Sequence, residues 1–342
     1  MAHLILMVGA NMAVNPISCN LDFDRDGVQH GHLKLPWSRD DSAWGAILIP
    51  ITVIRNGEGP TALFTGGNHG DEYEGPIAIL DMARSLDPAT VTGRVILLPM
   101  MNYPAVRGGR RTSPIDGGNL NRLFPGKPDG GITQKIADYV TTALLPLADV
   151  VVDLHSGGKT LEFVPYAACH RLPQDSGLEA RCAAAMQAFN APYSMIMLEL
   201  DAVGMFDTEA ENRGKVFVTS ELGGGGSATP HTVSVAKLGL RNVLHHAGIL
   251  PGAVEMRASV QLDMPDARCF VTSEHAGILE FMVELGQTVA EGDLIARVYD
   301  PERSGWRPVE YTAYRDGVVA GRHYPVLVQS GDTLAVIAVP AE

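Results

Sequence analysis

The fold prediction starts from residues 61–72, which have the sequence TALFTGGNHGDE. Residues 61–65 are short, largely apolar and followed by two glycines, a pattern that predicts a buried β-strand ending in a turn. His69 and Glu72 follow that turn. Because ligands of an open α/β sheet bind beyond the carboxyl ends of its strands, we expect functional side chains to follow the other strands as well.

Short apolar runs alternate with longer amphipathic segments between residues 60 and 250. Besides 61–65, strands are predicted over residues 94–100, 150–154 and 216–220. Helices are predicted over residues 76–86, 132–145, 178–189 and 232–246. Strands that are apolar throughout and alternate with helices are typical of a mostly parallel sheet covered on both faces. The sequence therefore predicts an α/β fold for this part of the chain.

The pattern changes after Pro251. Residues 255–342 contain short runs of alternating polar and apolar residues, separated by glycines, and no long helical pattern. They predict a small all-β domain that resembles the hammerhead barrel of biotinyl and lipoyl domains. No lysine occupies the hairpin tip at which a carrier domain is modified, so a structural lid or an oligomerisation module is favoured. The predicted domains are an α/β domain over residues 12–250 and a β domain over residues 255–342, with residues 1–11 left aside as a lead-in.

The composition limits the classes of partner. The 342-residue chain has 39 acidic and 26 basic residues and a formal net charge of −13, which argues against nucleic acid or an anionic membrane as the main partner. Its four cysteines are scattered, so neither a disulfide framework nor a cysteine zinc site is expected. No apolar run reaches the roughly 20 residues of a membrane helix. We expect a cytoplasmic protein with no nucleic-acid or membrane partner.

Four side chains that suit metal chemistry follow the predicted strands. His69 and Glu72 come after the first strand, His155 after residues 150–154, and Glu221 after the last strand. Catalytic zinc usually takes three nitrogen or oxygen ligands and keeps one position open for water. His69, Glu72 and His155 would form that set around one zinc ion, with Glu221 left free as the general base. Each residue alone has a structural alternative, a hydrogen-bonded strand end, but four at one sheet edge favour the metal site.

A loop rich in arginine and asparagine follows the strand predicted over residues 94–100. It includes RRTSPIDGGNLNRLFPG, residues 110–126. A guanidinium binds a carboxylate through two hydrogen bonds and stays charged at physiological pH. Next to a metal site in an acidic protein, such residues indicate recognition of a substrate carboxylate. For Arg111 and Arg122 a functional role is favoured; for Arg107 and Arg110 a structural role within the loop is favoured.

Several motifs together carry a family resemblance. The stretches GGNHGDEYEG (66–75), NLNRLFPG (119–126), VVDLHSGG (151–158) and SELG (220–223) resemble the succinylglutamate desuccinylase/aspartoacylase family. The resemblance covers roughly residues 60–250 and implies the zinc carboxypeptidase fold, with a β domain appended. The positions that match functional residues of the family are zinc ligands His69, Glu72 and His155, general base Glu221, carbonyl-polarising Arg111, and the carboxylate-binding pair Asn121 and Arg122.

The resemblance also implies an activity. A member of this family is expected to be a zinc-dependent amidohydrolase that removes an acyl group, here acetyl, from an N-acyl amino acid. The stretches SAWG (42–45), NRLFPG (121–126) and MFDT (205–208) resemble the branch that acts on N-alpha-acetyl-L-2,4-diaminobutyrate in ectoine catabolism. The alternatives are an aspartoacylase or succinylglutamate desuccinylase, a carboxypeptidase-like peptidase and, from another class, a metal-dependent binding or carrier protein.

A small-molecule N-acyl amino acid is therefore the expected partner, and a homo-oligomer is left open. The ammonium group of a diaminobutyrate side chain would need an acidic partner in the site. Four acids before the strand at residues 216–220 are candidates, with a solvated acidic loop as the alternative for each: Asp201, Asp207, Glu209 and Glu211.

Overall fold

The computed structural model describes residues 14–341, so the lead-in suggested over residues 1–11 lies outside the described residues. The strands are β1 (Ser18–Cys19), β2 (Gly27–Pro36), β3 (Ala46–Asn56), β4 (Thr61–Gly66), β5 (Gly93–Leu98), β6 (Val150–His155), β7 (Leu161–Phe163), β8 (Tyr166–His170), β9 (Tyr193–Met197), β10 (Val216–Glu221), β11 (Val260–Asp263), β12 (Phe270–Thr272), β13 (Gly277–Phe281), β14 (Thr288–Val289), β15 (Leu294–Tyr299), β16 (Val309–Thr312), β17 (Gly317–His323), β18 (Leu327–Val328) and β19 (Thr333–Pro340). The α-helices are α1 (Glu74–Ser85), α2 (Tyr103–Gly108), α3 (Ile132–Tyr139), α4 (Ser176–Phe189), α5 (Phe206–Asn212) and α6 (Pro230–His246). Within residues 14–341, none of the helices combines the length and the apolar content needed to cross a bilayer.

Four parallel strands form the centre of the larger sheet. In the order β5, β4, β6 and β10, each strand pairs in parallel with the next. Antiparallel strands extend the sheet on both sides: β3, β2 and β1 lie beyond β5, and β8 lies beyond β10. Because neighbouring parallel strands end at the same edge, the loops that follow β4, β5, β6 and β10 meet there.

Both faces of the central strands are buried, which explains why these segments are apolar throughout. Phe64 of β4 belongs to the apolar cluster that includes Ile79 of α1 and Phe189 of α4. Its neighbour Leu63 belongs to a second cluster, which includes Phe206 of α5. Successive residues of a strand point to opposite faces, so the two clusters are the two sides of one sheet. The two clusters therefore determine which helices pack against each face of the sheet.

The predicted fold class, a mixed sheet flanked by helices and followed by an all-β region, is confirmed. The strands and helices predicted between residues 60 and 250 are present, although the helix predicted over 132–145 changes to π-helical backbone at Val140–Leu144. The sequence analysis missed β2 and β3, which precede this region. In β2 the buried positions alternate with exposed ones, so the strand lacks the continuous apolar run that identifies the central strands.

The strands from β11 onward form the all-β region. Strands β13, β15, β16 and β18 make an antiparallel sheet. Leu279 and Ile295 of that sheet share a core with Leu334 and Ile337 of β19. Strand β11 pairs with both β9 and β19, so the larger sheet continues into this region. The division into domains at residues 250–255 stays a prediction.

The all-β region supports one loop of the α/β region. Strand β7 pairs with β17, and the Arg322 guanidinium donates hydrogen bonds to Glu162 Oε2 at 2.8 and 2.9 Å. The backbone N–H of Tyr324 donates to the carbonyl of Thr160 at 2.8 Å. These contacts hold Phe163, at the end of β7, against β17.

Replacing Gly321 with alanine should destabilise the protein. A Cβ at this position would lie 2.5 Å from the ring of Phe163, so the ring or the backbone of β17 must move. Overpacking of this kind costs about 1–3 kcal/mol, and thermal unfolding followed by circular dichroism should show a Tm lower by several degrees. The matched control is Gly177→Ala in α4, where a Cβ meets only the Asp175 carboxylate at 3.4 Å. An equal loss of stability in both variants would contradict this account.

Candidate active site

The three predicted metal ligands meet at the carboxyl edge of the central strands. His69 and Glu72 lie in the turn between β4 and α1, and His155 is the last residue of β6. Nδ1 of His69 lies 2.7 Å from Glu72 Oε1, and Nδ1 of His155 lies 2.9 Å from Glu72 Oε2. One potential ligand atom of each residue lies within 4.8 Å of the other two, and all three residues are buried. The set can therefore hold a metal ion.

In each imidazole, the nitrogen that points away from Glu72 lies within hydrogen-bond distance of a side-chain oxygen. Nε2 of His69 lies 3.1 Å from Oδ1 of Asn119, and Nε2 of His155 lies 2.8 Å from Oδ2 of Asp153. A metal-binding histidine typically donates its other N–H to such an acceptor, which fixes the ring and makes the free nitrogen a better ligand. In both rings the nitrogen turned toward Glu72 is Nδ1. These supports fit a metal bound through the two Nδ1 atoms and the Glu72 carboxylate.

The sequence analysis missed Asn119 and Asp153. The Asp153 carboxylate accepts hydrogen bonds from Thr65 Oγ1 at 2.6 Å and Asn68 Nδ2 at 3.0 Å, so the neighbouring strand and its turn fix it in place. The sequence did contain a signal for Asp153. A charged residue in an apolar, buried strand requires a partner, and residues two apart on a strand, such as Asp153 and His155, point to the same face.

The charges of this cluster depend strongly on one another. Burial would raise the pKa of Glu72, but the two imidazoles hold it well below its usual range. Burial lowers the pKa of His69. Burial would also lower the pKa of His155, but the Asp153 and Glu72 carboxylates outweigh it and raise that pKa well above its usual value. Two buried carboxylates beside two imidazoles make an environment that attracts a cation.

Glu221 ends β10 directly beside this cluster, in register with His155 on the adjacent strand. Among residues 14–341 its buried Oε2 atom has no hydrogen-bond partner. Burial raises the pKa of the Glu221 carboxyl to about 8, and the Glu72 carboxylate acts in the same direction. A carboxyl group with a pKa near neutrality and no structural partner is suited to accept a proton and return it.

The predicted substrate-binding residues come from the long loop after β5. Nη1 of Arg111 lies 3.3 Å from His69 Nδ1, so this guanidinium reaches the cluster of His69, Glu72 and His155. Arg122 donates a hydrogen bond from Nη1 to the carbonyl oxygen of Asn121 at 2.7 Å. Oδ1 of the buried Asn121 side chain accepts from the backbone N–H of Phe206 at 3.0 Å. That bond uses the amide oxygen and leaves the amide N–H groups of Asn121 as donors.

One cavity joins these residues. It is lined by every predicted site residue except Glu72, and also by apolar side chains and two further acids. The apolar lining is Leu161, Phe163, Met197 and Met205, and the two acids are Glu199 and Asp207. The cavity thus combines guanidinium groups, carboxyl groups and an apolar wall around the two histidines of the predicted metal site. Arg107 and Arg110, for which a structural role was favoured, do not line it.

The four acids proposed for an ammonium group separate in the structure. Asp207 is buried and lines the cavity. Asp201 is exposed, and Glu209 pairs with an arginine one turn further along α5 at 2.6 Å. Glu211 pairs with the imidazole of His170 at 3.0 Å. The sequence analysis missed Glu199, because β9 runs antiparallel to β10 and its carboxyl end lies away from the edge where the other site residues collect.

Two histidines and two glutamates meet at the carboxyl edge of the parallel strands of a mixed sheet, an arrangement that suits a hydrolase of the α/β class with a site that can hold a metal ion. Residues 58–247 match the model of the succinylglutamate desuccinylase/aspartoacylase catalytic domain. The chain therefore belongs to the succinylglutamate desuccinylase/aspartoacylase family, and the prediction of an enzyme that hydrolyses amide bonds is confirmed.

Three relatives resemble the chain over almost its whole length. It is 56% identical over 326 residues to the N-alpha-acetyl-L-2,4-diaminobutyric acid deacetylase of Halomonas elongata, covering 95% of both chains. The product-bound ectoine utilization protein EutE of Ruegeria pomeroyi is 59% identical, with a TM-score of 0.93 and coverage of 95% of this chain and 99% of that one. A succinylglutamate desuccinylase from Silicibacter sp. TM1040 is 60% identical, with a TM-score of 0.93 and coverage of 96% and 100%.

Replacing Asp153 with asparagine should weaken metal binding about 10- to 100-fold, the usual effect of removing the acceptor behind a metal-binding histidine. An amide is a weaker acceptor than a carboxylate and no longer polarises the His155 imidazole. Zinc titration in competition with a chromogenic chelator measures the affinity. The matched control is Asp149→Asn next to β6, because among residues 14–341 the Asp149 carboxylate accepts only from the backbone N–H of Thr61, at 2.8 Å. Equal affinities in wild type and Asp153→Asn would show that the Asp153 carboxylate does not support the ligand.

Proposed function

We propose that this protein is a zinc-dependent deacetylase that hydrolyses N-alpha-acetyl-L-2,4-diaminobutyrate to acetate and L-2,4-diaminobutyrate in ectoine degradation. The observation that carries the proposal is the Glu221 carboxyl, whose buried Oε2 atom lacks a hydrogen-bond partner among the described residues and which adjoins the cluster of His69, Glu72 and His155. The substrate is taken from the deacetylase of Halomonas elongata, to which the chain is similar along 95% of its length.

Zinc fits the donor set of this site. Two imidazole nitrogens and one carboxylate are ligands that catalytic zinc commonly uses, and His69, Glu72 and His155 would hold one ion. When bound, zinc supplies Lewis acidity, which polarises a carbonyl group and lowers the pKa of water. Asn119 and Asp153 hold both imidazoles turned toward Glu72.

Glu221 moves the proton in the proposed reaction. It accepts a proton from the water molecule whose oxygen forms a bond to the acetyl carbonyl carbon. The carbon–nitrogen bond then breaks, and Glu221 returns the proton to the α-nitrogen, so the carboxyl group is restored to its starting state. The water is divided between acetate and the released amine, and no other reactant is needed.

The two arginines act on different parts of the substrate. Arg111 reaches the cluster through Nη1 and would stabilise the negative charge that develops on the carbonyl oxygen. Arg122 and the amide of Asn121 line the same cavity and would bind the α-carboxylate. Holding the carboxylate fixes the acetyl group beside Glu221, which removes the entropic cost of aligning the reacting groups.

An enzyme fits this site better than a metal-dependent binding or carrier protein does. A protein that only binds a metal ion needs the three predicted ligands but has no use for the Glu221 carboxyl group. Burying a carboxyl group without a partner destabilises the folded state, so a protein that only binds would gain by replacing it. The unpaired Glu221 thus favours catalysis.

A reducing compartment, and hence the cytoplasm, suits the four cysteines. Cys19, Cys169, Cys182 and Cys269 form no disulfide. Burial raises the pKa of Cys169 to about 12, so its thiol is of the inert, structural kind. Free thiols of this kind are typical of proteins kept in a reducing environment.

Replacing Glu221 with glutamine should lower kcat for N-alpha-acetyl-L-2,4-diaminobutyrate about 100- to 10,000-fold, because glutamine keeps the size of the side chain but cannot carry the proton. Zinc content should stay at one ion per chain, since Glu221 is not among the ligands. Acetate release and elemental analysis of the same samples measure both quantities. The companion variant Glu72→Gln should lose zinc and activity together. If Glu221→Gln kept most of its kcat, the assignment of the base would be wrong.

Replacing Arg122 with alanine should raise KM for the same substrate at least tenfold, because one charge-assisted contact to the α-carboxylate is lost. The carboxamide of the substrate, which has no carboxylate, should be hydrolysed with the same kcat/KM by wild type and variant. Arg107→Ala is the control, because Arg107 is exposed and lies outside the cavity. A variant that weakens both substrates equally would indicate a structural role for Arg122.

A further inference from the structure

We propose that Glu199 and Asp207 form a binding subsite for a side-chain ammonium group, and that this subsite selects diamino acids among the N-acetylated amino acids. The inference rests on the proposed deacetylase function and adds the residues that choose the side chain. Both acids line the cavity that also contains His69, Arg111 and Glu221. A substrate whose acetyl group lies beside Glu221 therefore has these two carboxyl groups within the same enclosure.

The two acids converge on one point. One carboxylate oxygen of Glu199, one of Asp207 and one ring nitrogen of His170 lie within 4.8 Å of one another. Glu199 and Met197 also line a second, adjoining cavity that reaches His170, so they form part of the wall between the two cavities. An ammonium group at this point would find acceptors on more than one side, as its three N–H donors require.

The subsite has an excess of negative charge. His170 is the one basic group in it, and its Nδ1 lies 3.0 Å from Glu211 Oε1. Nε2 of His170 is buried, makes no hydrogen bond within residues 14–341, and lies 3.9 Å from Glu199 Oε1. No lysine or arginine among the described residues lies within ion-pair distance of Glu199 or Asp207. Three carboxyl groups thus face one imidazole, and an ammonium group bound here would offset the excess negative charge.

The pKa shifts of Asp207 and His170 agree with an excess of carboxyl groups in the subsite. Burial raises the pKa of Asp207, and the carboxylates of Glu199 and Glu211 act in the same direction. Burial would lower the pKa of His170, but the same two carboxylates raise it to about 10. Both shifts reflect carboxyl groups packed around one imidazole, surroundings that suit an ammonium group.

The same charges would exclude other substrates of this family. A side chain that ends in a carboxylate, such as that of N-acetyl-L-aspartate, would place a third negative charge against Glu199 and Asp207. Repulsion between like charges in a buried site opposes binding. The two acids would therefore strengthen binding of a side chain that ends in an ammonium group and weaken binding of one that ends in a carboxylate. The apolar side chains of Phe163 and Met205 in the same cavity can cover the methylene groups that precede the ammonium.

The test compares two substrates that differ only in this charge. N-alpha-acetyl-L-norvaline carries a methyl group where N-alpha-acetyl-L-2,4-diaminobutyrate carries the ammonium. In the zinc-loaded wild type, kcat/KM should favour the diamino substrate at least tenfold. Glu199→Gln and Asp207→Asn should each raise KM for it about 10- to 100-fold with kcat little changed, and should leave the norvaline derivative unaffected. Asparagine retains the oxygen that accepts from the backbone N–H of Thr208, so the fold is expected to persist.

Glu209→Gln serves as the control, because Glu209 lies on α5 beside this cluster but pairs with Arg213 outside the cavity. It should leave the preference between the two substrates unchanged. A wild-type enzyme that hydrolyses both substrates equally well would overturn the subsite, and so would variants that lose both activities in parallel, since that is the behaviour of a structural residue. A second equivalent of metal that is lost in both variants would also overturn it.

Binding of the free amino acids separates this inference from the proposed function. If the zinc-loaded enzyme hydrolyses neither substrate, the deacetylase proposal fails, but calorimetry with L-2,4-diaminobutyrate and L-norvaline still decides the subsite. Tighter binding of the diamino acid in wild type, lost in Glu199→Gln and Asp207→Asn, supports it. Equal binding of the two amino acids by wild type overturns it.

Discussion

The parallel pairing of β4, β6 and β10 is the constraint on which the site depends. It sets Gly66 opposite Leu154 and His155 opposite Glu221, so that three chain segments far apart in sequence end at one edge. The apolar layers on the two faces of the sheet hold this register, since a slip of one residue would turn every buried side chain toward the wrong layer. The same core packing that fixes the strand register therefore also aligns His155 with Glu221.

The turn after β4 carries His69 and Glu72, the other predicted ligands, and brings them close to the same edge of the sheet. Gly67 has a φ of +64°, a conformation that L side chains rarely adopt. A Cβ at Gly70 would lie 2.0 Å from the backbone carbon of Ala105, so the turn passes directly against the start of the arginine-rich loop. This contact explains why one compact region holds His69 and Arg111 together. Gly67 is therefore needed for its backbone conformation, and Gly70 for the close approach of the two backbone segments.

The sequence predicted the residues that follow strand ends better than it predicted those that support them. His69, Glu72, His155 and Glu221 were found because the rule for parallel strands requires only the apolar runs. Asn119 was missed because its position depends on how a long loop folds back over the cluster. Glu199 was missed because it follows a strand of opposite direction, and no local pattern shows that this segment returns to the cavity. Long loops and antiparallel additions thus mark the limit of the strand-end argument.

The buried charges of the site form a single electrostatic system. Glu72 and Asp153 are balanced by two imidazoles, and Arg111 lies 3.5 Å from Glu72 Oε1 at the mouth of the cluster. Glu221 is left without a partner, and its pKa rises as a result of burial and of the adjacent Glu72. Removing the charge of Glu72 would therefore alter the pKa of Glu221 as well as the predicted ligand set, because the Glu72 carboxylate contributes to the proton affinity of Glu221. His155 links the two carboxyl groups in this fold, because it ends the strand beside Glu221 and its Nδ1 lies 2.9 Å from Glu72 Oε2.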